Sequence, residues 1–344
     1  MRRLLLLLAV SVSIQAETLT IYNWEEYLSD AVVQGWEQRS GHQVKQIYYD
    51  NDEERDSVLV NASGEQIDII ISDEAATPFF GNKGKLAALS EYTPNTYLED
   101  ISDRWRSTCG DYGLPYLWGT LGVVYHTEHI SEAPQSWKQL LDPPIAWRGH
   151  IGLIDDFVDT LVPALFSLNA DINTSDRATL QQAFELSKKA LPHILTFEYA
   201  ISALDNQRSK DELYIAIAYS GDQEAMNEKA GKEVWKYTTL SEGTVVWTDC
   251  ISVLADSPNK KLAYDFLDYL YDSEVFARNS EELYFASPLK SSAKLQSKEF
   301  LEDRTVYPTQ AQTESAQRYR QLSSDNIKLR NRITSSLIKL HDAN

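Results

Sequence analysis

Short apolar segments of strand length alternate along this chain with longer segments that have the periodicity of an amphipathic helix. Apolar runs occur at residues 19–22, 67–71, 121–125, 151–154, 214–219 and 244–249, the last of which continues into 251–254. Helical periodicity is clear over residues 30–39, where Val32, Val33 and Trp36 share a face. It is equally clear in the apolar stripe of residues 260–270, a helix that Asn259 is expected to cap. This alternation predicts an α/β fold with largely parallel strands.

Polar residues stand just past the predicted carboxyl ends of several strands, namely Asp73, Asp156, Ser220 and Asp249. In open α/β sheets the ligand binds at that edge. The four residues come from distant parts of the chain, so their shared position predicts one ligand site built by the fold.

The first sixteen residues have the form of a secretory signal peptide. Arg2 and Arg3 precede an apolar run over residues 4–12, and Ala16 offers a cleavage point before Glu17. The alternative, a membrane anchor, would need about 20 apolar residues, roughly twice this run. No cysteine lies near the cleavage point, and no later stretch is apolar enough to span a membrane. We therefore expect an exported, unanchored mature protein.

The charge of the chain excludes some partners. The formal net charge is −19, and removal of the two signal-peptide arginines makes it −21. Such a surface repels nucleic acid and anionic lipid and attracts cations.

Cys109 and Cys250 are candidates for a single disulfide in an oxidising compartment, although the sequence leaves open whether they meet. No metal-ligand spacing is present, so neither a metal nor another cofactor is expected.

Asp155, Asp156 and Asp159 could be imagined as an acid/base set of a secreted hydrolase. Catalysis would also need a leaving-group site, and the sequence contains no nucleophile or phosphate-binding motif. We expect a binding protein rather than an enzyme, with the hydrolase as the alternative from another class.

Aromatic residues stand beside acidic ones in several places. Trp24 adjoins Glu25, Trp247 lies two residues before Asp249, and Tyr219 precedes Asp222. Core aromatics beside surface acids are the ordinary explanation of any one such pair. Together they suit an aliphatic polyamine, whose methylenes pack on aromatic rings and whose ammonium groups need carboxylates.

Several motifs resemble those of the spermidine/putrescine-binding proteins of bacterial polyamine importers. They run in order over nearly the whole mature chain: YNWEEY at 22–27, DIII at 68–71, LPYLWG at 114–119, SW at 136–137, IDD at 154–156, WTD at 247–249 and VYP at 306–308. The resemblance implies a type II-like periplasmic binding fold, in which two α/β lobes joined by crossing strands close on a ligand. It also implies a monomer in the periplasm, and residues 114–119 are expected to be core rather than ligand contacts.

The resemblance assigns site residues by position. Trp24 and Tyr27 match cleft residues of the first lobe, and Trp247 and Asp249 match an aromatic wall and an amine-binding carboxylate. The remaining matches are the acidic pair of the second lobe, a ring that is usually Trp and a polar residue near the C-terminus, namely Asp156, Asp159, Tyr219 and Gln317.

The departures from the family pattern lie mostly in the first lobe. Glu25 stands where Thr is usual, Asp73 where Ser is usual, and Ala75 where an aromatic is usual; Phe285 or its neighbour Tyr284 takes the place of a late Tyr. Two added carboxylates would favour a ligand with more ammonium groups. We therefore expect spermidine or norspermidine to bind more tightly than putrescine.

The predicted first lobe comprises residues 17–122 and 248–296, and the second comprises residues 123–247 and 297–344. The expected partner is the inner-membrane permease of an ABC importer. The alternative within the same fold is a polyamine sensor that docks on the periplasmic domain of a membrane-bound signalling protein, such as a cyclic-di-GMP enzyme that controls biofilm formation.

Overall fold

The computed structural model describes residues 16–343 except 26, 50, 62–65 and 92–96, and of residues 53, 61, 97 and 98 it describes the backbone alone. The predicted signal peptide lies outside the described residues apart from Ala16. No helix in the described part of the chain is both long and apolar enough to cross a bilayer.

The strands form one mixed sheet that runs through the whole molecule. Its order is β2-β1-β3-β9-β4-β7-β5-β6, with β10 added to β9 and β8 added to β4. The strands are β1 (Thr18–Asn23), β2 (Gln43–Tyr48), β3 (Ile69–Asp73), β4 (Leu114–His126), β5 (Ile151–Gly152), β6 (Ile194–Thr196), β7 (Ile215–Tyr219), β8 (Trp235–Thr238), β9 (Val245–Val253) and β10 (Gln317–Arg318).

The prediction of largely parallel strands is right at the two ends of the sheet and wrong in its centre. β1 pairs in parallel with β2 and β3, and β5 pairs in parallel with β6 and β7. The central strand β9, however, runs antiparallel to both β3 and β4. An apolar run is buried on both faces in either direction, so the residue pattern does not reveal the direction of a strand.

Two long strands join the halves of the molecule. β4 begins at Leu114, seven residues before the predicted start at 121, and its first part pairs with β9 while its second part pairs with β7 and β8. Residues 114–119 are buried, as predicted for core residues. Gly119 allows the close approach of the Trp247 ring, because a Cβ there would lie 2.6 Å from it.

Two large hydrophobic cores lie on either side of the crossing. One gathers Leu19, Trp36 and Phe266, and the other gathers Trp137, Leu165 and Leu337. These cores define the two lobes of the predicted α/β architecture, which the structure confirms. The exact division of the chain stays a prediction; Phe300 and Val306, which that division gives to the second lobe, pack in the first core.

Helices cover the sheet. They are α1 (Asp30–Ser40), α2 (Asp52–Asn61), α3 (Ala76–Asn82), α4 (Tyr97–Asp100), α5 (Lys138–Leu141), α6 (Val162–Ser167), α7 (Arg177–Ala190), α8 (Ala200–Ala203), α9 (Asp222–Ala230), α10 (Lys260–Leu270), α11 (Ser273–Leu283), α12 (Lys290–Ala293), α13 (Lys298–Glu302), α14 (Gln310–Ser315) and α15 (Ser324–Asp342). Short 3-10 turns occupy Leu89–Glu91, Ile145–Trp147, Asp159–Leu161 and Leu191–His193.

Two helix boundaries test the predictions. The predicted helix over 30–39 is confirmed as α1, which Ser29 caps through its side chain and Gly41 ends at a φ of 74°. α10 starts after Asn259 as predicted, but Asn259 does not cap it through its side chain. The Asn259 amide turns instead to Asp68, at 3.4 Å from the carboxylate.

Cys109 and Cys250 form a disulfide, which settles the question that the sequence left open. Cys250 lies on β9 directly after Asp249. The bond therefore ties the central strand to the segment that precedes β4.

Candidate functional site

A cleft of about 2590 Å³ lies between the two lobes, at the place where strand ends and the crossing strands meet. The twelve predicted site residues come from all parts of the chain, and eleven of them line this cleft: Trp24, Glu25, Tyr27, Asp73, Asp156, Asp159, Tyr219, Trp247, Asp249, Tyr284 and Phe285. The fold thus brings the predicted residues together.

Gln317 is the exception, because it does not line the cleft. Its side-chain oxygen accepts a hydrogen bond from the Ile172 amide at 2.8 Å, and its side-chain nitrogen donates to the Ala170 carbonyl at 3.1 Å. Both ends of the side chain therefore hold a backbone segment of the second lobe.

Asp249 reaches the cleft from the middle of a strand, not from beyond its carboxyl end as predicted. It is half-buried, whereas the other residues of β9 are buried. Because β9 runs antiparallel to β3, Asp249 lies across from Asp73, the last residue of β3. Burial and then the charge of Asp73 raise the pKa of Asp249 to about 7, while the nearby Tyr27 hydroxyl partly offsets the rise.

Asp73 is held by Arg55, a cation that was not predicted as a site residue. Its carboxylate accepts from the Arg55 guanidinium at 2.7 Å and from the amides of Ala75 and Ala76 at 2.7 and 2.8 Å. Arg55 also binds Asp52 at 2.7 Å. The charge added at Asp73 relative to the family pattern is thus already paired within the protein.

The second-lobe side of the cleft contains Asp156 and Asp159. The Asp156 carboxylate accepts from the amides of Val158 and Asp159, at 2.6 and 2.7 Å. Burial, followed by the charge of Asp159, raises the pKa of Asp156 to about 7. Asp159 accepts hydrogen bonds of 2.6 Å from the hydroxyls of Tyr219 and Tyr319. Burial raises its pKa to about 6, and the two tyrosines hold it below the value that burial alone would give.

A further carboxylate, Asp222, stands at the start of α9. It accepts from the backbone amide of Tyr219 at 2.7 Å and is 4% exposed. Burial raises its pKa to about 7, against a hydrogen bond from Tyr199 that lowers it. Asp222 stands near Tyr219 in the sequence but was not predicted as a site residue.

Aromatic rings line the space between these acids. The Trp247 ring lies 6.0 Å from Tyr219 and 5.7 Å from Phe285, and Phe285 contacts Tyr27 at 5.1 Å, all measured between ring centroids. The Trp247 indole nitrogen is buried and has no hydrogen-bond partner among the described residues. The wall therefore offers ring faces, together with a donor that the described part of the protein does not use.

Tyr284 and Phe285, the two candidates for the late aromatic position, have different surroundings in the structure. Both residues line the cleft, but Phe285 packs in the aromatic wall whereas the Tyr284 hydroxyl donates to Asp303 at 2.7 Å.

In the first lobe, Glu25 is exposed at the cleft rim. Tyr49, which was not predicted, packs on Trp24 with ring centroids 4.3 Å apart.

The site suits an organic cation by its chemistry. Carboxylates from both lobes line one cleft together with aromatic rings. In the described ranges, no group of three or more His, Cys, Asp or Glu side chains is placed to hold a metal ion.

Comparisons with known proteins agree with this architecture. A family model of bacterial extracellular solute-binding proteins matches residues 15–308. A norspermidine sensor of Vibrio cholerae is 32% identical over 340 residues, which cover 99% of this chain and 94% of the relative. A spermidine/putrescine-binding periplasmic protein of Escherichia coli is 24% identical over 298 residues, or 85% of this chain and 83% of the relative.

Solved structures share the fold. The spermidine/putrescine transporter substrate-binding protein of Streptococcus pneumoniae, determined with calcium and HEPES, superposes with a TM-score of 0.79 at 22% identity, covering 95% of this chain and all of that one. A spermidine/putrescine transporter protein from Listeria monocytogenes gives a TM-score of 0.81 at 23% identity, covering 93% of this chain and 98% of that one.

Proposed function

The chain belongs to the bacterial extracellular solute-binding proteins, and on that premise we propose that it binds a linear polyamine in the cleft between its lobes. The mature protein would begin at Glu17 and act in the periplasm. Closure of the lobes would bring the carboxylates of both onto one ligand.

The observation that carries this proposal is the presence of buried acids from both lobes and of aromatic rings in one cleft. Asp249 on the first-lobe side and Asp156 on the second-lobe side line the cleft together with the Trp247 ring. A polyamine is a flexible apolar rod with ammonium groups at intervals. Its methylenes would pack on the indole, and each ammonium would meet a carboxylate whose own burial is otherwise unfavourable.

The number of unpaired acids supports a triamine. Among the buried or half-buried aspartates of the cleft, Asp249, Asp156, Asp159 and Asp222 form no ion pair with any described residue, whereas Asp73 is paired with Arg55. Two tyrosine hydroxyls already donate to Asp159. Three ammonium groups would match the other three carboxylates, and a diamine would leave one of them buried without a cation. Spermidine and norspermidine are therefore the preferred ligands in this proposal.

Isothermal titration of the mature protein tests it. The protein is unfolded and refolded first to remove any polyamine that copurifies, and is then titrated with putrescine, spermidine and norspermidine. We expect both triamines to bind more tightly than putrescine, and Asp249→Asn to weaken them by about a hundredfold, the cost of losing one partner of a buried charge pair.

The matched control is Asp103→Asn, which removes an exposed carboxylate outside the cleft. It should leave the affinities unchanged. Absence of heat and of thermal stabilisation with all three amines would contradict the proposal. Turnover of a glycoside or ester substrate by the same protein would instead support the alternative of a secreted hydrolase.

Delivery to the permease of an ABC importer is the proposed role of the bound state. The similarity to a norspermidine sensor over 99% of this chain favours a second candidate, a sensor that docks on a membrane-bound signalling protein. Uptake of labelled spermidine by cells that lack the gene separates the two. Loss of uptake supports the importer, whereas normal uptake with loss of the response to external polyamine supports the sensor.

A further inference from the structure

Arg55 is a fully buried cation in the first-lobe wall of the cleft. We propose that it is a specificity-determining residue, which occupies a cation position of the cleft and thereby limits the number of ligand ammonium groups that can bind. This inference rests on the proposed polyamine function and concerns the same cleft. In this proposal, Arg55 excludes tetraamines from the cleft.

The contacts of Arg55 are those of a bound cation. One terminal nitrogen lies 2.7 Å from both Asp52 and Asp73, and the other lies 2.8 Å from Asp56. The side chain of Arg55 is 2% exposed, and those of Asp73 and Asp52 are 25% and 34% exposed. The guanidinium is therefore covered, while two of its carboxylate partners still border the cleft.

The position of these carboxylates relates them to the ligand site. Asp73 is the cross-strand neighbour of Asp249, and the charge of Asp52 acts across the cleft on Asp159. Without Arg55, Asp52 and Asp73 would add unpaired acids next to those proposed for the triamine. A fourth ammonium group would then have a partner.

With Arg55 present, a fourth ammonium approaching Asp73 would meet a fixed positive charge. Arginine does not lose its proton in proteins, so this repulsion persists at every physiological pH. Rejection by a like charge is a common way to obtain specificity. Arg55 would thus exclude longer polyamines without contacting the bound triamine.

A comparison of spermine, a linear tetraamine, with spermidine tests the role of Arg55. In the wild-type protein we expect spermidine to bind more tightly. In Arg55→Gln, the ratio of spermine affinity to spermidine affinity should rise about tenfold, the effect of one additional charge-assisted hydrogen bond. Adding Asp73→Asn to that variant should remove most of the gain. Arg332→Gln is the matched control, because Arg332 is an exposed arginine outside the cleft.

The outcomes are distinct. A folded Arg55→Gln protein whose affinity ratio equals that of Arg332→Gln overturns the inference. If Arg55→Gln does not fold, Asp73→Asn alone decides. Because Asp73 offsets part of the Arg55 charge, its loss should lower the ratio of spermine affinity to spermidine affinity, and an unchanged or higher ratio would overturn the inference. A wild-type protein that binds no polyamine refutes the proposed function itself.

Discussion

Asp73 and Asp249 face each other across antiparallel strands β3 and β9, and they are in opposite electrostatic situations. Asp73 accepts a hydrogen bond from the Arg55 guanidinium at 2.7 Å, whereas Asp249 has no cation partner among the described residues. Of these two neighbouring carboxylates, Asp73 is neutralised by the protein and Asp249 is available to an external cation.

Ligand affinity should increase with pH across neutrality. Burial raises the pKa of Asp249 and of Asp156 to about 7, so near pH 6 both are largely protonated in the unliganded protein. An ammonium group stabilises the ionised carboxylate, and binding therefore releases protons. Affinity should rise by up to about tenfold per pH unit for each proton released. Titration near pH 6 and pH 8, in buffers with different ionisation enthalpies, measures this directly.

The cleft carboxylates cause the increase of affinity with pH if Asp249→Asn reduces that increase and Asp103→Asn does not. An affinity that does not change over this range would show that the carboxylates are already ionised before the ligand arrives.

The hydroxyl of Tyr319 should tune Asp159. Its 2.6 Å hydrogen bond is one of two tyrosine contacts that oppose the rise in the pKa of Asp159 caused by burial. Tyr319→Phe should therefore raise that pKa further above about 6, by up to about one unit for the loss of one hydrogen bond to a charged group. Carbon NMR of the Asp159 carboxyl during a pH titration measures the shift.

Tyr125→Phe provides the control, since Tyr125 is a buried tyrosine outside the cleft. An unchanged pKa of Asp159 in Tyr319→Phe would mean that the hydrogen bond from Tyr219 alone opposes the effect of burial.

The sequence predicted the elements with strong periodicity and the family, and hence most of the cleft. α1, α10, β1 and β7 lie where the apolar pattern places them, because each buries one stripe or a continuous run. The residue pattern does not reveal the direction of a strand. Asp249 was expected at a strand end, and it reaches the cleft because an antiparallel neighbour places mid-strand residues beside the end of β3.

Arg55 and Asp52 could not be predicted as site residues. Three residues apart on a highly charged helix, they have the pattern of a solvated surface pair. Their role depends on Asp73, eighteen residues further along, which the fold brings into contact with Arg55. Gln317 shows the converse: a polar residue near the expected position is fully used by the backbone of residues 170 and 172.

Loss of the disulfide should weaken the fold more than the site. Cys109 and Cys250 are 141 residues apart, and a cross-link that closes so long a loop stabilises a protein by about 2–5 kcal/mol. The double variant Cys109→Ala, Cys250→Ala should lose about that free energy of unfolding in urea. Its polyamine affinity should stay within about threefold, because the pairing of β9 with β3 and β4 still positions Asp249.

Wild-type protein unfolded with a reductant is the comparison for the double variant, and the two should agree. A double variant with the urea midpoint of the oxidised wild type would contradict the stabilising role. A large loss of affinity at unchanged stability would instead place the disulfide in control of the cleft.

Without ligand, the protein should become less stable as the pH rises from about 5 to about 8. The ordinary pKa of an aspartate is 3.8, and burial raises it to about 7 for Asp156, Asp222 and Asp249 in the folded protein. Between these values the folded state binds more protons than the unfolded state. Raising the pH therefore lowers the free energy of unfolding, by up to about 1.4 kcal/mol per pH unit for each such proton.

Urea unfolding of the stripped protein at several pH values tests this effect. Asp249→Asn should flatten the pH dependence and leave the unliganded protein more stable than wild type near pH 8, whereas Asp103→Asn should change neither. Saturating spermidine should reverse the wild-type trend, because its ammonium groups compensate the ionised acids. If instead the unliganded wild type gained stability relative to Asp249→Asn as the pH rose, the Asp249 carboxylate would already have a favourable partner inside the protein. The ionised cleft carboxylates thus lower the free energy of unfolding of the unliganded protein, and binding of the ligand restores it.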